Sequence, residues 1–374
     1  MSCDVLFTPA TDTTGWRING DRLWASLMDL AQIGATPKGG CRRLTLTDLD
    51  RQGRDRVIGW AREAGMSVTI DKIGNVFMRR EGRNPSLPPI VSGSHIDTQP
   101  TGGKFDGNYG VLAALEVVRT LNDLQIATEA LAQIGYIGEQ TPGEHPVGAY
   151  FEAHIEQGPI LEDEAKTIGI VQGVLGIRWY DCVVTGQASH AGPTPMRLRQ
   201  DALQVATRIM QEVVAIAGRS EEGRGTVGSV QVWPNSRNVV PGEVTFSIDM
   251  RNLSDALVDE MDRQLRAFIA EVERESGLQV ALKQVSHYPA APFDGECQQA
   301  IADAAQRLGY PARPIVSGAG HDAVYMSYLA PTGMIFIPCK DGISHNEMEY
   351  ASPEHVAAGA NVLLQVMLQY ARPL

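Results

Sequence analysis

The order of predicted elements in the middle third of the chain limits the possible folds more than any other feature. Alternating apolar residues predict strands there, and apolar residues at helical spacing predict helices. The predicted elements run strand, helix, strand, strand, helix, strand at residues 177–184, 199–217, 226–232, 244–250, 254–275 and 278–285. This order closes a ferredoxin-like β-α-β-β-α-β sheet with both helices on one face.

Strands and helices alternate on both sides of this region, which is typical of an α/β domain. Helices are predicted at residues 16–35, 47–65, 108–124, 296–308 and 353–371. A length of 374 residues also fits two domains better than one. The predicted fold class is α/β, with a discontinuous catalytic domain over 1–176 and 291–374 and an inserted lid or dimerisation domain over 177–290.

Charge balance and cysteine pattern exclude several classes of function. The chain has 44 acidic and 32 basic residues, a net charge of −12, whereas nucleic-acid and anionic-membrane binders need a basic face. There is no apolar run of about 18 residues that could span a membrane, and the first ten residues do not resemble a secretory signal. Five scattered cysteines favour reduced thiols in a cytoplasmic protein.

A histidine and two acids follow a short apolar strand in SGSHIDTQPTGGKFDGNYG. His95 lies at the predicted strand end, Asp97 follows it, and Asp106 lies further along the same loop. Imidazole can ligate a metal ion, one carboxylate can bridge two ions, and the other can hold the imidazole N–H. The alternative is a turn with a capping aspartate and a surface histidine, and the motif alone does not decide between them.

Two further histidines lie at element ends. His154 stands between Glu152 and Glu156 in an apolar segment, and His345 follows the apolar strand MIFIP. Together with His95 and Asp106 they make a dinuclear metal site plausible, in which the ions lower the pKa of a bound water and polarise a carbonyl. Such chemistry also needs a glutamate as general base. A serine nucleophile elbow of the form GxSxG is missing from the sequence.

Six motifs, in this order, resemble one enzyme family: SGSHIDTQPTGGKFDGNYGVLAALE, AHIEQGPILE, SHAGPTPMRLRQDAL, NVVPGEVTFSIDMR, SGAGHDA and GISHNEMEY. The chain is similar over residues 16–371 to the hydantoinase/carbamoylase amidohydrolases. That family includes N-carbamoyl-L-amino acid hydrolases, β-ureidopropionases and allantoate amidohydrolases. It belongs to the superfamily of dinuclear-zinc aminoacylases and carboxypeptidases. The resemblance implies a zinc-peptidase-like catalytic domain.

The resemblance also implies a set of metal ligands. His95 and His154 correspond to the histidines of the first metal, Asp106 to the bridging carboxylate, and His345 to the histidine of the second metal. Asp97 corresponds to the residue that holds the His95 ring from behind. The implied cofactors are two divalent ions, with Zn2+ expected and Mn2+, Co2+ or Ni2+ as alternatives.

Substrate contacts are implied in the same way. Gln157 resembles a substrate-contacting amide, and Asn238 and Arg251 resemble residues that hold the substrate carboxylate. His190 corresponds to a residue of the lid that stabilises the oxyanion, contributed by the partner subunit of a homodimer. The expected partners are therefore a small ureido or carbamoyl amino acid and a second copy of the chain.

The chain departs from the family pattern between Asp106 and His154. Only 47 residues separate the two, and the family segment with a core strand and a Glu–Glu pair is missing. One glutamate of that pair is the general base and the other is a ligand of the second metal. Glu129, Glu139 and Glu144 are nearby in sequence, but their context is that of the flanking segments.

Two explanations of this departure remain open. Either the protein contains a segment that this sequence lacks, with the join near 130–131, or the chain has lost it. The first is favoured, because removing a central strand would leave unpaired backbone donors and acceptors across the sheet.

The predicted function is metal-dependent hydrolysis of the ureido C–N bond of an N-carbamoyl amino acid or related ureido acid, which releases the amino acid, CO2 and ammonia. One alternative is an acyl-amino-acid or dipeptide hydrolase of the same superfamily. The other is a non-catalytic ligand-binding dimer, if the chain has truly lost the segment.

Overall fold

The chain divides into two compact units. The computed structural model describes residues 13, 15–128, 146–371 and the backbone of 132–134. One unit comprises Met1–Gln172 and Pro292–Leu374, and the other is Gly173–Ala291. These divisions lie four residues and one residue from the boundaries expected from the sequence. Each unit has a hydrophobic core of its own.

The secondary structure elements are numbered in chain order. The helices are α1 (Gly20–Leu30), α2 (Asp48–Glu63), α3 (Asn108–Asp123), α4 (Ile160–Asp163), α5 (Ala202–Ala217), α6 (Asp255–Ser276), α7 (Gly295–Leu308), α8 (Asp322–Met326) and α9 (Pro353–Ala371). The strands are β1 (Ser67–Ile70), β2 (Val76–Arg80), β3 (Ile90–Ser92), β4 (Ala132–Ile134), β5 (Ala149–Ile155), β6 (Ile168–Val174), β7 (Gly176–Thr185), β8 (Ser189–His190), β9 (Arg224–Thr226), β10 (Val230–Trp233), β11 (Val239–Val240), β12 (Glu243–Asn252), β13 (Gln279–Tyr288), β14 (Ala291–Pro292), β15 (Ala312–Ser317) and β16 (Thr332–Ile337). Within the part of the chain described, no helix combines the length and apolar character needed to cross a membrane.

The first unit is built on a mixed sheet. Its strand order is β1-β2-β4-β3-β5-β16-β6-β14, and β15 pairs with β6. Strand β5 is parallel to both β3 and β16, and every residue of β5 is buried. Since parallel strands end at the same edge of a sheet, the loops after β3, β5 and β16 meet at one edge. In open α/β sheets this is the edge where ligands bind.

A short strand lies between β2 and β3 in the described part of this sheet. Ala132–Ile134 forms β4, which pairs in parallel with β3 and antiparallel with β2. Among the described residues, β2 and β3 therefore have a common pairing partner, and both explanations of the short spacing between Asp106 and His154 stay predictions. Glu129, Glu139 and Glu144 lie outside the described residues.

The second unit has the predicted β-α-β-β-α-β order. Its sheet runs β10-β12-β7-β13, with β9 pairing with β12, and β7 is antiparallel to both neighbours. This is the strand order of a ferredoxin-like sheet. Alternate residues of β7 and β12 are buried, as expected for a sheet with one face against the helices.

Helix boundaries differ from those predicted at both ends, and most for α1, which was predicted over 16–35. Helix α1 begins at Gly20 rather than at residue 16, because the Asn19 side chain accepts a hydrogen bond from the Arg22 amide and caps the helix. The side chains of Thr47 and Ser254 cap α2 and α6 by the same kind of hydrogen bond. Apolar spacing identifies a helix, but the capping side chain decides where it begins.

Candidate metal centre and active site

The loops that leave the parallel strands bring three histidines together. His95 follows β3 by three residues, His154 is the penultimate residue of β5, and His345 lies in the loop after β16. Asp106 lies two residues before the first residue of α3. Because β3, β5 and β16 are neighbours in the sheet, side chains distant in sequence meet at one edge.

Asp106 lies at the centre of this cluster, and its two oxygens face different histidines. Its Oδ1 is 3.2 Å from Nε2 of His154 and 3.8 Å from Nε2 of His95. Its Oδ2 is 3.4 Å from Nε2 of His345. One carboxylate oxygen thus faces a pair of imidazoles and the other faces a third imidazole. That arrangement suits a carboxylate that bridges two cations.

Hydrogen bonds behind the rings direct their Nε2 atoms towards Asp106. Nδ1 of His95 is 3.3 Å from Oδ1 of Asp97 and 3.1 Å from its carbonyl oxygen. Nδ1 of His154 is 2.8 Å from the carbonyl oxygen of Ile155, and the Gly107 amide donates to its Nε2. The bond to a carbonyl requires Nδ1–H, so Nε2 of His154 is an acceptor and can bind a metal. The carboxylate of Asp97 thus faces Nδ1 of His95.

The glycine next to Asp106 makes this close approach possible. Gly107 has a φ of +67°, and a Cβ at this position would collide with the His95 ring. A side chain here would therefore be both strained and obstructed. The motif FDG in the sequence thus carries a steric requirement as well as a ligand.

The electrostatics of the cluster favour a cation. Burial raises the pKa of Asp106, but the hydrogen bond and charge of His154 and the charge of His95 outweigh it and hold that pKa at about 2. Burial lowers the pKa of His95, but Asp97 and Asp106 outweigh it and raise the pKa to about 10. The carboxylate therefore stabilises positive charge here, whether carried by protons on the imidazoles or by a divalent ion.

The donor atoms fit one metal position better than the other. The ligand atoms of His95, Asp106 and His154 all lie within 4.8 Å of one another. Two imidazoles and a carboxylate are a ligand set that catalytic zinc sites use, with a fourth position open. For a second ion, His345 faces the other oxygen of Asp106, and the amide of Gln157 lies 3.4 Å from Nε2 of His345. Among the described residues, Asp106 and His345 supply two donors of the usual kinds there, so within this part of the chain the second position fits less well.

Gln157 lies against the cluster. Its Nε2 donates to Oδ1 of Asp106 and to Oγ of Ser344, at 3.1 Å in each case. Its backbone has a φ of +58°, which for a residue other than glycine often marks a functional constraint. The structure thus places Gln157 against the carboxylate of Asp106.

A second buried group lies behind His154 and was not assigned from the sequence. Glu152, His154 and His321 form it, and all three are buried. The carboxylate of Glu152 accepts hydrogen bonds from Ser94 Oγ and from the amide of Ala323. The period-two spacing of Glu152 and His154 on β5 was a signal for it. Contacts with a loop some 170 residues away could not be inferred from that spacing.

The three candidates of the second unit do not all lie together. Strand β8 pairs with β11, with His190 opposite Val239, and the Ala191 amide donates to the carbonyl of Asn238. His190 and Asn238 are therefore neighbours. They lie near the first residue of β12, Glu243, which pairs with Thr185 at the end of β7.

Arg251 lies towards the other end of the same strand. It is eight residues after Glu243, which corresponds to roughly 26 Å along an extended strand. Nε of Arg251 is 3.0 Å from Oδ1 of Asp249, and Nη2 is 2.7 Å from its Oδ2. The predicted clamp therefore needs correction, because Asn238 and Arg251 of one chain cannot hold the same small carboxylate.

The chain is similar to known amidohydrolases in sequence and in structure. The family model described as peptidase family M20/M25/M40 matches residues 91–369. An N-carbamoyl-L-amino-acid amidohydrolase from Rhizobium meliloti is 40% identical over 95% of this chain and 97% of its own length. One from Geobacillus stearothermophilus is 33% identical over 95% and 99%. A crystal structure of an amidase of the hydantoinase/carbamoylase family from Burkholderia multivorans has a TM-score of 0.93 and 48% identity, covering 95% of this chain and 98% of that chain.

The relatives contain residues that this chain lacks. The alignment with the Rhizobium meliloti protein has 404 positions and includes 95% of this chain's 374 residues, which is about 355. Roughly 50 positions therefore have no counterpart here. A difference of this size agrees with the internal segment that motif spacing indicates as missing.

Proposed function

We propose that this chain, which belongs to peptidase family M20/M25/M40, hydrolyses the ureido C–N bond of N-carbamoyl-L-amino acids or related ureido acids. The family assignment confirms the resemblance drawn from the six motifs. The observation that carries the proposal is Asp106 with one oxygen towards His95 and His154 and the other towards His345. The curated relatives that match over nearly their whole length are named as N-carbamoyl-L-amino acid amidohydrolases.

The proposed cofactors are two divalent ions, with Zn2+ expected. His95, His154 and Asp106 would hold the first, and His345 and Asp106 would contribute to the second. Ions at these positions would polarise the ureido carbonyl and lower the pKa of water. Gln157 is within hydrogen-bond distance of Asp106 and Ser344 and could turn its amide to a substrate oxygen.

The substrate contacts proposed for the second unit require two subunits. His190 and Asn238 are neighbours, whereas Arg251 lies towards the opposite end of β12. We therefore propose a homodimer in which one subunit supplies Arg251 and its partner supplies His190 and Asn238 to the same substrate. Arg251 would hold the carboxylate through its planar fork. His190 would donate to the oxygen on which charge develops.

The cell compartment proposed is the cytoplasm. Cys41, Cys182, Cys297 and Cys339 are free and buried, which agrees with a reducing environment. The proposed partners are one small ureido acid and a second copy of the chain. The net charge of −12 argues against nucleic acid.

A substrate panel tests the function directly. N-carbamoyl-L-amino acids, allantoate, N-acetyl amino acids and dipeptides would be assayed after chelation and after re-addition of metal. We expect metal-dependent ammonia release from the carbamoyl substrates. Faster cleavage of acetylated amino acids or dipeptides would favour the alternative hydrolase. His154 speaks against that alternative, because the peptidase branch tends to have a carboxylate at this position.

Intact-mass measurement determines which chain is assayed. A mass near 40.5 kDa corresponds to the sequence as it stands. A mass several kDa larger would show that the protein contains the missing segment and its general base. A chain of 40.5 kDa that binds ureido acids without cleaving any would support the ligand-binding dimer instead.

Replacing Arg251 with lysine should weaken substrate binding strongly. A point-charge ammonium cannot reproduce the two parallel hydrogen bonds of a guanidinium. We expect kcat/KM to fall by about 5- to 150-fold, which corresponds to ~1–3 kcal/mol. The matched control is Arg224→Lys, at the residue opposite Arg251 in the β9–β12 pair. Steady-state kinetics check this, and an Arg251→Lys value within about twofold of wild type would reject the role.

The two metal positions should differ in affinity. Three donor side chains surround the first position, and Asp106 and His345 supply two at the second. After dialysis against metal-free buffer we expect about one ion per chain to remain, because catalytic zinc is usually held by three protein ligands. Elemental analysis measures this. His345→Ala should leave the retained ion in place, and retention of two ions would contradict the prediction.

A further inference from the structure

A buried glutamate connects the two loops that carry the second half of the metal centre. Glu349 is 4% exposed. Its Oε1 accepts hydrogen bonds from the backbone amides of Phe105 and Asp106, both at 3.0 Å. Its Oε2 accepts a hydrogen bond from Oγ of Ser344 at 2.9 Å. One carboxylate thus binds the loop before α3 and the loop after β16.

Each of these contacts adjoins a metal-binding side chain. Asp106 is itself one of the two residues whose amides are held, and Ser344 immediately precedes His345. The loop after β16 is fixed at a second point, where Oγ1 of Thr101 donates to the carbonyl of His345. Glu349 therefore constrains both the segment that carries Asp106 and the segment that carries His345. The side chains of these two residues are 3.4 Å apart.

The surrounding chain leaves space for this carboxylate. A Cβ at Gly103 would collide with the Glu349 side chain. His345 has a φ of +55°, in the left-handed region that residues other than glycine seldom adopt. A backbone held in this conformation needs surrounding contacts to maintain it, and Ser344 is tied down directly beside it.

We propose that Glu349 is a positioning residue that sets the spacing between Asp106 and His345 and thereby the affinity of the second metal position. The inference rests on the metal centre of the proposed function but not on its substrate. It predicts a larger effect on the second position, because Glu349 holds Ser344 beside His345 as well as the Asp106 amide, whereas the rings of His95 and His154 are held by Asp97 and Ile155.

The test compares four variants by cobalt titration and calorimetry up to millimolar metal. Glu349→Ala removes all three hydrogen bonds, and Ser344→Ala removes one of them. Glu349→Gln keeps an oxygen for the two amides and offers an N–H to Ser344, so it should rescue binding. Glu347→Gln is the control, since Glu347 lies in the same loop and pairs with the exposed Lys38.

We expect Glu349→Ala to weaken the second equivalent of metal by about 10–100-fold, the usual cost of losing a residue that orients a ligand. The first equivalent should stay within about threefold of wild type, as should both equivalents in Glu349→Gln and Glu347→Gln. Ser344→Ala should weaken the second equivalent by a smaller factor, and it provides the test if Glu349→Ala does not fold.

Three results would overturn the proposal. They are equal weakening of both equivalents with a lowered Tm, no change in either, and a wild-type chain that takes up one ion at most. The first would mean that Glu349 only stabilises the fold. Absence of ureido-acid hydrolysis alongside the expected metal titration would refute the proposed function and leave this inference standing.

Discussion

Replacing Asp106 with alanine is expected to abolish metal retention and to lower kcat/KM by about a thousandfold, or ~4 kcal/mol of transition-state free energy. Asp106 is the residue on which His95, His154 and His345 converge. Its removal takes a donor from both metal positions at once. Elemental analysis and carbamoyl-amino-acid kinetics on the same preparation measure the two effects.

Asp97→Asn is the graded comparison for this variant. The carboxylate of Asp97 contacts the ring of His95, whereas that of Asp106 faces all three histidines of the cluster. Its loss should cost about 10–100-fold in metal affinity, the range for residues that orient a metal ligand. Circular dichroism should be unchanged in both variants. If the Asp106→Ala variant kept its full metal content, Asp106 would not be a metal ligand.

Mixing two inactive variants should restore activity if His190 acts on the partner's substrate. His190→Ala keeps its metal ligands, and Asp106→Ala keeps its His190. In a heterodimer, one site then has intact metal ligands from the first chain and His190 from the second. Random exchange makes half of the dimers mixed, each with one of two sites intact. The recovered activity should therefore be about a quarter of wild type.

The same mixing experiment tests which subunit supplies Asn238 and Arg251 to the substrate. Asn238 is next to His190, so Asn238→Ala should regain activity with Asp106→Ala. Arg251 is assigned to the subunit that holds the metal, so Arg251→Ala should regain activity with His190→Ala but not with Asp106→Ala. No recovery by any pair, once subunit exchange has been shown by mass spectrometry, would mean that His190 acts within its own chain or not at all.

Local sequence determined much of the architecture. Apolar periodicity and capping side chains such as Thr47 and Ser254 identify most helices, because both act within a few residues. The order of elements from 177 to 290 predicted the ferredoxin-like order that the second sheet has. Histidines at predicted strand ends made a metal site plausible, and the family resemblance named its ligands; that these strand ends share one edge of the sheet is what the structure adds.

Tertiary structure alone decided the remaining features, because each depends on contacts between residues far apart in the chain. The sequence places Glu349 close to His345, but its contacts with Phe105 and Asp106, some 240 residues away, could not be inferred from that proximity. The motif NVVPGEVTFSIDMR suggested one clamp, but an extended strand places Asn238 and Arg251 towards opposite ends. The number of residues between two positions gives the distance between them only when the backbone conformation is known. The direction in which each strand runs, and its neighbours in the sheet, therefore decided which residues can share a site.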